Sequence, residues 1–164
     1  QRQMCIRDRH LNHSNTDYGK NQLLYLQKSG KLAGLSSLEK VPKLSDFSDQ
    51  SESLEARARA YLDINCAHCH NKQGPADTSA LLLEYTDLDP RSYGRCKPPI
   101  AAGRGSGGLL YSIVPGQAHE SIMSFRLNSR DPAEMMPEIG RTLVHAEGVA
   151  LVNRWINSMS GRCI

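Results

Sequence analysis

The chain has 164 residues, of which 39% are hydrophobic and 5% are aromatic, and its formal net charge is +3 at pH 7. A chain of this length is typical of one domain with a short extension. The excess of positive charge is small and scattered, which excludes the strongly basic surface of a typical nucleic-acid-binding protein. No apolar run approaches the length of a membrane-spanning helix, so we expect no membrane span in this chain.

The first residues do not resemble the start of a folded domain. The stretch Met4-Cys5-Ile6-Arg7-Asp8-Arg9 looks like the translation of a common sequencing-library adapter; a natural polar terminus is the alternative. We therefore expect residues 1–9 to be a non-native scar in which Cys5 has no function. Residues 10–50 are polar, show a short helical pattern over Asn21 to Lys28, and end in a Ser-, Asp- and Pro-rich linker. We assign them to the remnant of an upstream segment, and residues 51–164 to the main domain.

The first long predicted helix runs from about Leu54 to Asn65. A serine, Ser51 or Ser53, can cap its N-terminus, and acidic residues lie near its first turn, where they interact favourably with the helix dipole. We expect Arg57 and Arg59 to face solvent. The opposite face is apolar, with residues at i, i+4, i+7 and i+8: Leu54, Ala58, Tyr61 and Leu62.

A Cys-x-x-Cys-His sequence, Cys66 to His70, follows this helix directly. This spacing is that of a c-type haem attachment site. Two thiols three residues apart can each add to one vinyl group of the same porphyrin, and the histidine after the second thiol can place an imidazole nitrogen on the iron. We therefore predict one covalent haem c bound by Cys66 and Cys69, with His70 as a ligand to the metal. The other ring nitrogen of His70 is expected to donate to a backbone carbonyl near Pro75.

Three other interpretations of the cysteine pair stay open. A thioredoxin-like redox pair requires a βαβ context, which the neighbouring sequence does not show. A zinc site could use His68 or His70 as a further ligand, but a closed zinc site usually has a second ligand pair at similar spacing. The third interpretation is a structural disulfide between Cys66 and Cys69.

The sequence after the Cys-x-x-Cys-His motif is rich in loops. Gly74-Pro75 predicts a turn, Pro98-Pro99 interrupts any regular element, and residues 101–108 form a glycine-rich loop without the spacing of a phosphate-binding loop. The run from Leu109 to Val114 could be extended, and a short helix is predicted from His119 to Leu127. We expect long loops to separate the first and last helices of the domain.

A haem iron bound by His70 needs a second axial ligand or keeps an open position. We choose Met136, because Pro137 restricts it to an extended conformation in a loop just before the last helix. Met135 is the adjacent rival. The remaining candidates are expected in the core, at the surface or at a helix N-cap: Met123, Met159, His119 and His145.

The last predicted helix runs from about Ala146 to Met159, with Gly161 where a helix stop is expected. Its apolar residues recur on one face: Val149, Val152, Ile156 and Met159. We expect this face to belong to the core and to pack against the helix from Leu54 to Asn65.

These features together resemble the class I cytochrome c domain. Four segments are most similar to the C-terminal domain of a family of uncharacterised, often dihaem, secreted bacterial c-type cytochromes: Ala56 to Asn65, Val114 to Gly116, Met136 to Arg141 and Glu147 to Leu151. The resemblance covers about Ser51 to Ile164. It implies an all-α, cytochrome c-like fold in which the N- and C-terminal helices pack around a covalently attached haem. An upstream segment of that family often carries a second Cys-x-x-Cys-His motif, whereas this chain has one.

The resemblance implies single-electron transfer, with His70 and Met136 as axial ligands and the domain acting as an electron carrier rather than an enzyme. The partner would be a redox protein or a fused redox domain, with no nucleic acid involved. One alternative is the haem domain of a larger dihaem peroxidase-like or dehydrogenase-associated enzyme whose N-terminal part is missing; a zinc-binding structural module is the other. Haem attachment of this type occurs outside the cytoplasm. We therefore expect a periplasmic or otherwise extracytoplasmic location, with the signal peptide lost together with the natural N-terminus.

The remaining two cysteines, Cys96 and Cys163, lie outside the Cys-x-x-Cys-His motif. In an oxidising compartment thiols tend to pair, so we predict a disulfide between them. The alternative is two unpaired cysteines, one buried and one in the C-terminal tail. The disulfide requires the two Cα atoms to lie within roughly 7 Å of each other.

Overall fold

The structure, a computed structural model, describes residues 11–15 and 20–164. The chain divides into two compact units, one up to Asp46 and the other from Phe47 to Ile164. This boundary lies slightly before Ser51, where the sequence placed the start of the main domain. The predicted scar, residues 1–9 with Cys5, lies outside the described residues.

The first unit contains a short antiparallel ladder followed by a short helix. Strand β1 (Ser14–Asn15) pairs with β2 (Lys20–Asn21), and helix α1 (Gln22–Lys28) begins directly after β2. The Asn21 side chain accepts a hydrogen bond of 3.0 Å from the backbone N–H of Leu23, which caps the helix. The short helix predicted from Asn21 to Lys28 is thus confirmed.

The second unit is built on three α-helices joined by long loops. These are α2 (Leu54–Asn65), α3 (Ile122–Asn128) and α4 (Ala146–Ser158). Within residues 11–15 and 20–164, strand is confined to β1, β2 and two isolated bridges. This mostly helical content is compatible with the all-α class. No helix in this described part of the chain is long and apolar enough to cross a membrane.

Helices α2 and α4 pack directly on each other, as the sequence predicted. Gly148 of α4 lies against the Tyr61 ring of α2, and a Cβ at residue 148 would overlap that ring. Glycine therefore allows the close approach of the two helices. The core around their contact includes side chains that are less than 2% exposed: Leu62, Ile113, Leu151, Val152 and Ile156.

The prediction that Arg59 faces solvent is wrong, because its residue is only 4% exposed. Its Nη2 donates hydrogen bonds to the carbonyl oxygens of Glu84 (2.8 Å) and Asp87 (2.6 Å). Its guanidinium carbon also lies 4.3 Å from the centroid of the Tyr93 ring, in a cation–π contact. A loop from a later part of the chain therefore covers the face of α2 that helical periodicity assigned to water.

The single short helix predicted from His119 to Leu127 is also wrong in detail. A one-turn 3-10 helix, Ala118–Glu120, precedes α3, and the two are separated by Ser121 in an extended conformation. Ser121 forms an isolated parallel bridge with Tyr111. The bridge between Tyr111 and Ser121 thus interrupts the predicted helix. The local sequence period does not reveal this pairing, because its partner lies ten residues earlier.

The disulfide between Cys96 and Cys163 is confirmed, with a Cα–Cα distance of 5.1 Å. The backbone N–H of Cys96 donates to the carbonyl oxygen of Ile113, 2.9 Å away, so the bond joins the C-terminal tail to a segment held by the core. The disulfide therefore supplies a long-range restraint that ties the C-terminal tail to the core.

Replacing both Cys96 and Cys163 by Ser is expected to lower the free energy of unfolding by about 4 kcal/mol, because the unfolded chain regains the entropy of an open loop. Denaturant titration followed by circular dichroism measures the change. Wild-type protein unfolded in the presence of a reductant should match the double variant. Equal stability of the oxidised wild type and the double variant would contradict the stabilising role of this bond.

Candidate haem site

The Cys-x-x-Cys-His motif continues the backbone of α2 as a tight turn. The N–H groups of Cys69 and His70 both donate to the carbonyl oxygen of Cys66, at 3.1 Å and 2.9 Å. The N–H of Cys66 itself donates to Leu62 in the last turn of α2, at 2.9 Å. Because the turn is anchored to a buried helix, the positions of Cys66, Cys69 and His70 depend on how that helix packs in the core.

Asn71 and Gly74 close the turn on its C-terminal side. The Asn71 side-chain amide donates to the carbonyl oxygens of Ala67 (2.7 Å) and His68 (3.2 Å). Gly74 lies so close to the carbonyl of Cys69 that a Cβ there would overlap it. The Gly-Pro turn predicted from the sequence is therefore packed against the motif, and at this position only glycine avoids the backbone.

A cavity of about 460 Å³ opens in front of the motif. This volume lies in the usual range for cofactor and small-molecule sites. Its wall contains all four residues that the sequence nominated as haem-binding: Cys66, Cys69, His70 and Met136. Apolar side chains from α2, α3 and the connecting loops make up most of the rest, among them Leu62, Leu81, Leu83, Pro99, Ile122 and Leu127.

The His70 ring is oriented by a backbone carbonyl, but not by one near Pro75 as predicted. Its Nδ1 lies 3.2 Å from the carbonyl oxygen of Leu81, which can only accept, so Nδ1 carries the proton. Nε2 is then left with its lone pair. Burial lowers the pKa of His70, partly opposed by this hydrogen bond, so the ring is neutral at pH 7. A neutral imidazole with one free lone pair is the form that binds a metal.

The segment that supplies the Leu81 carbonyl is held against α2 by buried polar contacts. The Asp63 carboxylate, 2% exposed, accepts a 2.6 Å hydrogen bond from the N–H of Tyr85. Arg59 binds the carbonyls of Glu84 and Asp87 in the same segment. Helix α2 therefore carries the motif and also holds the segment whose Leu81 carbonyl orients His70.

Cys66 and Cys69 are thiols in the structure rather than a disulfide. Burial, reinforced by the nearby Cys69 and Asp63, raises the pKa of the Cys66 thiol to about 12. Reactive cysteines of redox pairs instead have lowered pKa values. The surroundings of Cys66 thus differ from those of a thioredoxin-like redox pair.

The candidates for the second axial ligand separate by position. Met136 lines the cavity, whereas Met135 does not. His119 and His145 are also absent from the wall, and His145 occupies the N-cap position of α4 without a capping hydrogen bond. Met123, expected in the core, belongs to the core and also lines the cavity. Helical periodicity could assign Met123 to a buried face but could not show that this face borders a cavity.

Arg141 ties the Met136 loop to the end of α3. Its Nη1 donates to the carbonyl oxygens of Leu127, at 2.9 Å, and of Met136, and its Nη2 donates to that of Ser129. The last carbonyls of a helix lack partners within the helix, and a cation near them is favourable. One guanidinium thus satisfies the end of α3 and holds the backbone of Met136 itself.

Arg126 provides a second link between α3 and the same loop. Its Nε donates to the carbonyl oxygen of Glu134 (2.8 Å), and its own carbonyl accepts from the N–H of Met136 (3.0 Å). Its Nη2 lies 3.7 Å from the Glu138 carboxylate. The sequence predicted no role for Arg126 or Arg141, because these contacts depend on how the loop folds back on α3.

No protein-family model matches the chain, and no curated protein or solved structure matches it significantly. Among the described residues, no group of three or more His, Cys, Asp or Glu side chains is arranged to hold a metal ion. The described residues therefore contain no such cluster that would support the alternative of a zinc-binding module.

We expect Arg141→Ala to loosen the Met136 loop, because three carbonyl oxygens lose a charged donor. Hydrogen bonds to charged groups contribute about 2 kcal/mol, so amide exchange over residues 129–141 should accelerate roughly 30-fold. Hydrogen–deuterium exchange with mass spectrometry measures this effect.

Arg130→Ala is the matched control, since Arg130 is exposed and lies in the same loop. Its exchange over residues 129–141 should equal that of the wild type. If the Arg141 and Arg130 variants exchange at the same rate, Arg141 does not hold the Met136 loop against α3.

Proposed function

We propose that residues 47–164 form a c-type cytochrome domain that transfers single electrons. The observation that carries this proposal is the cavity whose wall contains Cys66, Cys69, His70 and Met136. The first three come from one turn after α2, and Met136 comes from a loop far away in sequence. A sequence motif alone would not require a thioether side chain on the same cavity.

The residues present fit a covalently attached haem. The cavity is of suitable volume and largely apolar, and its two thiols can form thioether bonds to a porphyrin. The Nε2 lone pair of His70 is available because Nδ1 is engaged by Leu81. The chemistry supplied by the bound group would be a one-electron change at iron.

The roles of the chain's own residues follow from their contacts. Cys66 and Cys69 would hold the group by covalent bonds, and His70 and Met136 would be the side chains that bind its iron. Leu81 fixes the tautomer of His70, and Arg141 fixes the backbone of Met136. A thioether ligand favours reduced iron and therefore raises the reduction potential.

Two exposed apolar residues in the cavity wall support an electron-transfer role. Ile100 is 51% exposed and Ile139 is 78% exposed. They would leave one edge of a bound porphyrin near solvent, where a redox partner protein or a fused redox domain can approach. The Cys96–Cys163 disulfide is compatible with the periplasmic or other extracytoplasmic location that haem attachment requires.

The first test concerns covalent attachment. We expect the chain, produced in an oxidising compartment with a haem-attachment system, to keep its haem colour after denaturation and extraction with acidic acetone. The Cys66→Ala/Cys69→Ala variant should lose the colour to the solvent, because only axial bonds would remain. If the wild type also loses its colour, attachment through these thiols is excluded.

The second test concerns the axial methionine. Met136→Ala should remove the weak long-wavelength absorption band of ferric iron bound to a thioether. Met135→Ala is the adjacent control, and Met123→Leu tests the other methionine on the cavity; both variants should keep the band. If only the Met123 variant loses the band, Met123 in α3 is the ligand. If neither the Met136 variant nor the Met123 variant loses it, both methionines are excluded as the iron ligand.

A further inference from the structure

Lys97 is a buried cation in the wall of the same cavity. The residue is 7% exposed. Its Nζ donates to the carbonyl oxygen of Ser79 at 2.8 Å and lies 3.5 Å from that of Pro98. Both partners are neutral, so they bind the ammonium group without balancing its charge.

The charged side chains around the cavity do not neutralise Lys97. Burial lowers the pKa of Lys97, and the neighbouring charge that acts on it, Arg91, is also positive. Among the described residues no carboxylate lies within 4.0 Å of its Nζ. Arg126, the other strong base on the cavity, differs in having Glu138 beside it.

Burying a charge without a counter-ion is unfavourable. A ligand that supplies the opposite charge would remove this penalty. The backbone of Lys97 is held in place by its neighbours. Its carbonyl oxygen accepts a hydrogen bond from the N–H of Ser112, and the preceding residue, Cys96, forms the disulfide with Cys163. The ammonium group is thus fixed at the cavity rather than free to reach solvent.

Lys97 also lies close to the His70 side of the cavity. The Ser79 carbonyl that binds Nζ belongs to the residue whose hydroxyl is 3.4 Å from His70 Nδ1. An anionic group near Lys97 would therefore lie on the side of the cavity where Ser79 contacts the proposed metal ligand, His70.

We propose that Lys97 is the anion-binding residue of this cavity and pairs with one carboxylate of its occupant. This inference rests on the proposed function: for a haem, the carboxylates are the two propionate groups. The ammonium group then gains the counter-charge that the protein does not provide. Lys97 would keep that propionate ionised inside a largely apolar cavity and would stabilise reduced iron through its positive charge.

Lys97→Met, which keeps an unbranched side chain only one heavy atom shorter and removes the charge, tests this role in the haem-loaded chain. Without the cation, the buried carboxyl should have a raised pKa and titrate in the range of roughly pH 5 to 8. Its ionisation favours oxidised iron, so the reduction potential of Lys97→Met should fall with rising pH more steeply than that of the wild type. Lys97→Arg should restore the wild-type profile.

Lys72→Met is the matched control, because Lys72 is exposed in the turn just after His70 and its removal subtracts the same charge. His68 and Glu138 also face the cavity and are present in every variant. The difference between the Lys97→Met and Lys72→Met profiles therefore isolates Lys97. Identical profiles would overturn the inference.

A measurement on the wild type decides the question if Lys97→Met does not fold. Infrared spectra of protein carrying haem labelled with ¹³C at its carboxyl carbons report the ionisation of each propionate. At least one of the two should stay ionised down to about pH 5. A wild type in which both propionates titrate above about pH 6 would overturn the inference. A wild-type chain that acquires no haem would instead overturn the proposed function, and this inference with it.

Discussion

The candidate site depends on the contact between His70 Nδ1 and the carbonyl oxygen of Leu81. A histidine can bind a metal through Nε2 only if the ring is neutral and its other nitrogen holds the proton. The Leu81 carbonyl enforces that tautomer. The contact exists because buried polar side chains of α2, Asp63 and Arg59, hold the following segment in place. One helix therefore positions both the imidazole and the acceptor that orients it.

The Met136 side of the cavity is held by hydrogen bonds from arginine side chains. Met136 lies in a loop with little apolar anchoring, and two guanidinium groups connect that loop to α3. Arg141 binds carbonyls at the C-terminal end of a helix, where such groups need external donors. The disulfide plays a comparable part for the segment that contains Lys97. Charged hydrogen bonds and one covalent restraint thus hold the loop segments that line the cavity.

Much of this arrangement could be predicted from local sequence. The bounds of α2 follow from a clear period, and the sequence limited its N-cap to Ser51 or Ser53, of which the structure uses Ser53. The disulfide followed from the inferred compartment and from counting cysteines. The burial of Arg59, the choice of Leu81 over a carbonyl near Pro75, and the position of Lys97 were not predictable. Each of these three features depends on which distant loop packs against which face of a helix or of the cavity. The hydrophobic periodicity of a local segment does not contain that information.

The central claim is that Cys66 and Cys69 bind one haem covalently, and peptide mapping tests it most directly. The chain is matured with a haem-attachment system, denatured, digested, and analysed by tandem mass spectrometry together with metal analysis. The account predicts one iron per chain and a peptide containing Cys66, Cys69 and His70 that carries one haem bound through both sulfur atoms. The same peptide with two unmodified thiols, with a Cys66–Cys69 disulfide, or recovered from a protein that contains zinc in place of iron would contradict it.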